Sequence, residues 1–246
     1  MFDKSVPLFA RILACIAQIE TSLKAPKCYG RIAGNFDGMG ISYGTLQFNL
    51  GTGTLQPLLK EFIVKNSTSF NTIFGTHAQE LKNVLDKPTA EQLKWSSTIQ
   101  NSKFTINPDW KLQFEALGLT PEMQSIQVSA AKNKYFKPAV SWMKEYGLKS
   151  ERGCALLCDI SVQNGSISSK VKSIILSQIK PSDDEVTRMT IIANRRAEAA
   201  NPRWIEDVRS RKLTFATGTG IIHGGNYNLE KDFCITLSPI NEAELV

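Results

Sequence analysis

Residues 34–53, GNFDGMGISYGTLQFNLGTG, are the most informative stretch of this 246-residue chain. Six glycines in these twenty positions surround one carboxylate, Asp37, and a run of small polar and aromatic side chains. Glycine is favoured where the backbone needs a positive φ or approaches a ligand closely. Because a globular core does not need so many glycines, we interpret the stretch as a loop beside a binding or catalytic site.

A second carboxylate, Glu20, lies seventeen positions before Asp37 (37 − 20). Apolar residues recur at helical spacing over residues 6–23, and Glu20 lies in the same narrow arc of that helix as Ile16 and Leu23. A carboxylate on an apolar helical face loses solvation, which favours its protonated form. We therefore predict that Glu20 is a general acid, and the alternative is a helix-end carboxylate paired with a buried arginine.

Asp37 has the opposite surroundings. It lies between Phe36 and Gly38 in a loop with several free backbone N–H groups, which favour an ionised carboxylate. That environment suits a general base, whereas an Asx turn at the Asp-Gly pair is the structural alternative. A helix carboxylate that faces a loop carboxylate is the arrangement that glycosidic-bond hydrolysis requires.

Composition limits the class of protein. The chain is 42% hydrophobic and 21% charged with no biased segment, so we expect a single domain over residues 1–246, in two lobes, without extended disorder. The formal charge of +6 favours anionic partners such as nucleic acid or bacterial cell wall, although the basic residues are scattered. There is no apolar run of about 18 residues that would predict a membrane span.

The sequence lacks the motifs of several other chemistries. No Walker lysine follows the glycines, and neither a GxSxG motif nor a metal-binding triad occurs, so we expect no cofactor and no metal. The five cysteines are irregularly spaced, and we expect reduced thiols. The first twenty residues superficially resemble a signal peptide, but Arg11 interrupts their apolar stretch and no clear cleavage site precedes Glu20. We therefore expect synthesis in the cytoplasm without a signal peptide.

Helical periodicity predicts a mainly α-helical chain with a short β excursion near residues 41–48. The predicted helices cover residues 6–23, 55–63, 76–86, 89–100, 107–117, 121–147, 150–164, 169–179, 183–199 and 202–216. The tail from Gly218 to Tyr227 is predicted to be rich in turns.

The two carboxylates also carry a resemblance to a known family. Glu20 on a first helix, followed by Asp37 in the pattern Asp-Gly-x-Gly-aliphatic-hydroxyl-x-Gly, resembles the family 46 chitosanases of the lysozyme-like superfamily. The resemblance implies a two-lobed fold with its active cleft between the lobes. It also implies that Glu20 is the acid, that Asp37 is the base and that Ser42, five positions beyond Asp37, helps to hold the attacking water.

Two further segments extend this resemblance. The run FDGMGISYGTLQFNLGTGTLQPLL is similar to a group of bacterial and phage peptidoglycan-hydrolase-like proteins, and its SYGTLQ portion resembles the motif of goose lysozymes and lytic transglycosylases. The sequence departs from the chitosanases at Ser42, where Thr is common, and at Asn164, where His is usual. The candidate substrate-binding residues are Tyr43, Gln47, Asn49 and Asn164.

The segment LLCDISVQNG, which contains Asp159, resembles a later helix of the same family. In the chitosanases the corresponding Asp joins arginines in a buried network that supports the catalytic Glu. A buried acid on an apolar helix requires a cation. The candidates are Arg195, Arg196 and Arg211, which lie on the two following helices.

We therefore predict a glycosidase that cleaves β-1,4 linkages of peptidoglycan. Chitosan is a polycation, and a protein with a formal charge of +6 suits an anionic glycan better. The alternatives are a chitosanase or a lytic transglycosylase on the same fold, and a non-catalytic wall-binding module. The expected partner is bacterial cell-wall glycan. An immunity-type or delivery protein is a further possible partner, and we do not expect binding to nucleic acid. The site of action would be the cell wall, in an antibacterial role, after delivery out of the cytoplasm.

Overall fold

The structure is a computed structural model that describes residues 2–241. Its α-helices are α1 (Leu8–Thr21), α2 (Leu55–Lys65), α3 (Ser67–Phe74), α4 (Ala78–Leu85), α5 (Thr89–Thr98), α6 (Pro108–Gly118), α7 (Pro121–Ala131), α8 (Lys137–Tyr146), α9 (Glu151–Asn164), α10 (Ser169–Gln178), α11 (Glu185–Glu198), α12 (Ile205–Thr217) and α13 (Leu229–Phe233). Its strands are β1 (Ile32–Ala33), β2 (Ser42–Tyr43), β3 (Phe48–Asn49), β4 (Thr219–Ile222) and β5 (Gly225–Asn228). The predicted fold class, mainly helical with a short β excursion near the N-terminus, is confirmed.

Several elements differ from the sequence prediction, and one of them is α13 (Leu229–Phe233), where no helix was predicted. Helix α3 follows α2 after a single residue, Asn66, and was not predicted as a separate helix. The helix predicted over residues 121–147 is two helices, α7 and α8, joined by a π-helical turn at Lys132–Phe136, and Pro138 at the start of α8 cannot donate a helical hydrogen bond. The tail predicted as turns forms the β4–β5 hairpin, whose two connecting residues both have positive φ, 49° and 79°.

The chain divides into two compact units. Unit 2 is continuous and runs from Ile16 to Ala131, so it contains the end of α1, the sheet β1–β2–β3 and helices α2–α7. Its aromatic core includes Phe114, whose ring centroid lies 5.3 Å from that of Phe74 and 5.1 Å from that of Tyr43. The sheet therefore lies directly on the helical core of this unit.

Unit 1 combines the chain up to Cys15 with the chain from Lys132 onward. Its central helix is α9, in which every side chain from Cys154 to Ile160 is buried. The N-cap residue Ser150 accepts a hydrogen bond from Gly153 N at 3.0 Å, and this starts the helix at the predicted position. Helices α8 and α12 pack against α9, which explains why the middle of this helix is buried on all sides.

The five cysteines are free thiols, as expected. Burial raises the pKa of Cys28 to about 11 and raises the pKa of Cys158 well above the usual thiol range. Within residues 2–241, none of the helices combines the length and the apolar character needed to cross a membrane.

Glu151, at the start of α9, connects both ends of the chain within unit 1. Its Oε1 accepts a hydrogen bond from Arg11 Nη2 at 2.8 Å, and its Oε2 accepts from Lys4 Nζ at 2.6 Å and from Thr236 N at 2.8 Å. Burial alone would disfavour the charge, but the hydrogen bonds from Arg11 and Lys4 outweigh it and lower the pKa of Glu151 to about 2. The carboxylate is therefore charged in the folded protein over nearly the whole accessible pH range.

The low pKa of Glu151 predicts a loss of stability in acid. The folded-state pKa of about 2 lies below the unfolded-state value of 4.5, so the stabilisation is present above pH 4.5 and disappears as the pH falls towards 2. The difference corresponds to about 3 kcal/mol. Urea unfolding at pH 7 and pH 3 measures the part that is lost above pH 3, about 2 kcal/mol, with Glu151→Gln as the comparison. If wild type and variant lose equal stability between these pH values, Glu151 is not the responsible group.

Candidate active site

Helix α1 places Glu20 in its last turn, inside unit 2. The helix ends at Thr21, whose Oγ1 donates to Ala17 O at 2.6 Å, and Ser22 then leaves the helix with a positive φ of 58°. Ile16 and Ile19 are buried, and Glu20 itself is half-buried. The carboxylate thus lies at the edge of the apolar face, where it is partly desolvated.

Asp37 lies in the loop of residues 34–41, which joins β1 to β2. Its side chain is exposed, and its Oδ1 accepts a hydrogen bond from Met39 N at 3.0 Å. This is an Asx turn, the structural alternative raised by the sequence. Its Oδ2 makes no hydrogen bond with the described residues, so one carboxylate oxygen remains available to solvent.

Some glycines of this stretch allow close packing of the loop. A Cβ at Gly34 would lie 2.1 Å from the carbonyl oxygen of Phe104. Gly44 has a φ of 79°, and a Cβ there would lie 2.3 Å from Gln127 Oε1. At these two positions glycine is required by the close approach of other protein atoms, whereas a Cβ at Gly38 or Gly53 would meet nothing within 4 Å.

Ser42 is the first residue of β2 and lies in the centre of the small sheet. It pairs with Ala33 of β1 on one side and with Asn49 of β3 on the other. Its side chain is 7% exposed, and its hydroxyl makes no hydrogen bond with the described part of the chain. A nearly buried hydroxyl without a protein partner can accept or donate a hydrogen bond to a water molecule.

The three predicted substrate-binding residues near the loop differ in burial and in their hydrogen bonds. Tyr43 is fully buried and its hydroxyl donates to Phe114 O at 3.0 Å, so it presents no surface to a glycan. Gln47 is half-buried and its Nε2 donates to Gly44 O at 2.9 Å. Asn49 is half-buried, and its Oδ1 accepts from Thr52 N at 2.9 Å. We do not retain Tyr43 among the substrate-binding candidates.

Sequence reasoning missed Gln127, which holds the sheet in place. This side chain of α7 is buried, its Oε1 accepts from Thr45 N at 2.9 Å, and its Nε2 donates to Tyr29 O at 2.9 Å. It therefore fixes the turn between β2 and β3 against the helices. The only sequence signal was a glutamine beside the apolar residue Ile126 on a predicted helix.

Asp159 lies in unit 1, fully buried on α9. Its Oδ1 accepts from Arg211 Nε at 2.9 Å and from Arg211 Nη2 at 2.6 Å, and its Oδ2 lies in a short ion pair with Lys212 Nζ. Burial opposes the charge, but Arg211 and Lys212 outweigh it and lower the pKa of Asp159. Lys212 Nζ also donates to Gln163 Oε1 at 2.6 Å, so α9 and α12 are joined by a buried polar network.

The other candidates for this network have different surroundings. Arg195 Nη1 pairs with Glu198 Oε2 at 2.6 Å, one turn along α11. Arg196 Nε is buried without a hydrogen-bond partner among the described residues, and burial lowers the pKa of this guanidinium. Asn164, which ends α9, has its Oδ1 buried without a partner in the same part of the structure. Asp159 thus pairs with one of its three candidate arginines and with a lysine that the sequence did not indicate.

Of three comparisons with known proteins, only the comparison with solved structures gives matches. No protein-family model and no curated protein matches the chain. Chitosanase OU01 with substrate is 19% identical, with a TM-score of 0.62 over 92% of this chain and 97% of that one. A chitosanase complex is 18% identical, with a TM-score of 0.60 over 88% and 94%. The GH46 chitosanase of Gynuella sunshinyii with chitotetraose is 15% identical, with a TM-score of 0.57 over 89% and 88%.

At these identities the likeness concerns the fold, and it extends over most of this chain and of each chitosanase. It agrees with the motifs around Glu20 and Asp37 from which the sequence analysis inferred a chitosanase-like protein of the lysozyme-like superfamily. The chain therefore has the fold of the family 46 chitosanases.

Proposed function

We propose that this protein is a glycoside hydrolase that cleaves β-1,4 linkages of peptidoglycan, with the whole chain acting as one catalytic domain. One observation carries the proposal. In a chain with the chitosanase fold, unit 2 contains both a half-buried carboxylate at the end of a helix, Glu20, and an exposed carboxylate in a hairpin loop, Asp37. Glycosidic-bond hydrolysis requires such a pair, one member as acid and the other as base.

In the proposed mechanism, Glu20 protonates the glycosidic oxygen as the bond breaks. Glu20 donates this proton from the last turn of α1, where its side chain is half-buried. On the opposite face of the sugar, the oxygen of a water molecule bonds to the anomeric carbon, and Asp37 takes the proton of that water through the carboxylate oxygen that the Asx turn leaves available. The hydroxyl of Ser42 holds that water. This inverting reaction needs a separation of about 6.5–9.5 Å between the two carboxyl groups in the glycan-bound state.

The remaining site residues have supporting roles in this proposal. Gln47 and Asn49 are proposed to bind the glycan through their half-buried amide side chains. Asn164 of unit 1, whose Oδ1 is buried, remains a proposed substrate-binding residue. The buried pair of Asp159 and Arg211 is proposed to support catalysis by holding α9 and α12 in place. Arg195 and Arg196 remain candidates for the same support.

Net charge supports peptidoglycan as the substrate. The formal charge of +6 attracts a polyanion, and bacterial wall carries the carboxylates of its peptides and the phosphates of its teichoic acids. An enzyme that acts there must reach the wall after synthesis, so we also propose a delivery partner and an immunity-type inhibitor in the producing cell. In this setting the activity is antibacterial.

Chitosan hydrolysis is the second candidate, and a specific observation favours it. The solved structures that share this fold are described as chitosanases, and one of them contains chitotetraose. The same acid, base and water-holding residues would serve that reaction, so only the substrate distinguishes the two candidates.

Mass spectrometry of digested polymers tests the proposal. Purified sacculi and chitosan are incubated with the protein, and Glu20→Gln is the control for contaminating activity. We expect muropeptides with reducing ends from sacculi. Anhydro-sugar ends would indicate a lytic transglycosylase, and oligosaccharides from chitosan alone would assign the second candidate. If neither polymer yields products but sacculi retain the protein, it is a wall-binding module.

A further inference from the structure

Two exposed aromatic rings lie on neighbouring loops of unit 2, beside the candidate base. Phe36, which precedes Asp37, is 68% exposed, and Phe104 is 46% exposed. The other phenylalanine and tryptophan side chains of unit 2 are all buried. Met39, three residues beyond Phe36, is also 43% exposed, and exposed apolar patches of this kind are typical of interaction sites.

The two loops that carry these rings contact each other at Gly34 and Asn35. Gly34 packs so closely on the carbonyl of Phe104 that no side chain would fit there. Asn35 N donates to Gln100 Oε1 at 2.8 Å, and Asn101 N donates to Thr105 O at 2.9 Å across the turn that presents Phe104. The positions of the two aromatic residues are therefore set by the folded loops.

The backbone of Phe104 makes its residue type unexpected. Its φ is 59°, in the left-handed region that glycine and asparagine adopt most easily and that is strained for a bulky side chain. The exposed ring gains little packing in return. Strained residues without a packing benefit occur preferentially at functional sites.

We propose that Phe36 and Phe104 form a surface that binds the apolar faces of sugar rings in a glycan passing Asp37. This inference rests on the proposed function, because Asp37 as the base makes a glycan the expected occupant. A stable protein partner would need an interface of about 1,200–2,000 Å² in total, whereas a sugar unit presents an apolar face of about the size of one aromatic ring. Lys103, exposed beside Phe104, supplies a cation for the acidic groups of a wall glycan. The two phenylalanines position the substrate and take no part in the chemistry.

Binding measured without turnover tests the surface separately from catalysis. In a Glu20→Gln background, retention on insoluble peptidoglycan and on chitosan is measured over a range of protein concentrations. Phe36→Ala and Phe104→Asn are each expected to weaken binding about two- to tenfold, and the double variant more, on the polymer that the protein prefers. Asparagine at position 104 suits the left-handed backbone, so the second change removes the ring without adding strain.

Matched variants separate ring stacking from general surface effects. Val64→Ala removes another exposed apolar side chain of unit 2 and should leave binding unchanged. Phe36→Tyr and Phe104→Tyr keep a ring and should bind as well as the parent. Because both phenylalanines are exposed, the melting midpoint should stay constant. If the melting midpoint falls in the double variant, binding by the Phe36→Ala variant alone tests the proposal. Residue 36 has no positive φ, so this substitution does not change backbone strain.

The outcomes distinguish this inference from the proposed function. If the double variant binds like its parent, or if Val64→Ala weakens binding equally, the surface is not a sugar-binding site. Failure of the parent to bind either polymer also overturns the inference. If the wild type releases no products but the ring variants lose binding, the sugar-binding surface stands and the hydrolytic function is refuted.

Discussion

Replacing Glu20 by glutamine is expected to abolish glycan hydrolysis and to leave the fold intact. The amide has nearly the same shape as the carboxylic acid but has no proton to donate to the glycosidic oxygen. Loss of a general acid lowers the rate by at least about 10²–10⁴-fold. The release of reducing ends from sacculi or chitosan measures the rate, and circular dichroism and the melting midpoint report the fold.

The same substitution at another glutamate of unit 2 provides a control for this variant. Glu115→Gln removes an exposed carboxylate from α6 in the same unit and should leave the rate unchanged. Binding to the insoluble polymer should also survive in Glu20→Gln, because the substitution removes a transferable proton and little contact area. A Glu20→Gln protein with the wild-type rate would show that a different residue is the acid.

Replacing Asp159 by alanine is expected to be the most destabilising single change of a polar residue in unit 1. The substitution leaves Arg211 and Lys212 buried without the carboxylate that both contact. Removal of one partner of a buried ion pair costs about 3–5 kcal/mol, because the remaining charge stays desolvated. Urea unfolding followed by far-UV circular dichroism measures the difference.

An exposed ion pair gives the matched comparison. Asp86 pairs with Lys60 at 2.8 Å between Oδ1 and Nζ, and both side chains are largely solvated. Asp86→Ala should therefore change the free energy of unfolding by about 0–1 kcal/mol. Equal, small effects of the two substitutions would mean that the buried network of Asp159 contributes little to stability.

Periodicity and turn residues were sufficient to predict much of the fold. Helix α9 was predicted over residues 150–164 from its apolar residues. It runs from Glu151 to Asn164, between the N-cap Ser150 and the C-cap Gly165. The β4–β5 hairpin was missed because its turn residues, His223 and Gly224, are not the Asn-Gly or Asp-Gly pair that marks such turns. The periodicity and turn residues of the sequence therefore predicted the helices better than the short strands.

The sequence predicted those features of the candidate site that depend on a residue's type and on its neighbours along the chain. Asp159 on an apolar helix implied a buried cation, and the structure supplies Arg211. Lys212 was not predicted because a lysine in mid-helix is usually solvated, and only tertiary packing shows that this one is buried. The burial of Tyr43 likewise depends on tertiary packing, since both residues of the two-residue strand β2 are buried.

The two-piece construction of unit 1 affects how the chain emerges during synthesis. Arg11 contacts Glu151 and Cys234, which follow it by 140 and 223 residues. The ribosome therefore completes residues 16–131 before Arg11 has either partner available. Contacts between such distant positions require closure of very large loops, which slows their formation. Leu8 and Ile12 are buried in the folded protein, but the second segment of unit 1 is absent for most of translation. The apolar start of the first helix therefore stays exposed on the nascent chain, and a chaperone can bind it during this time.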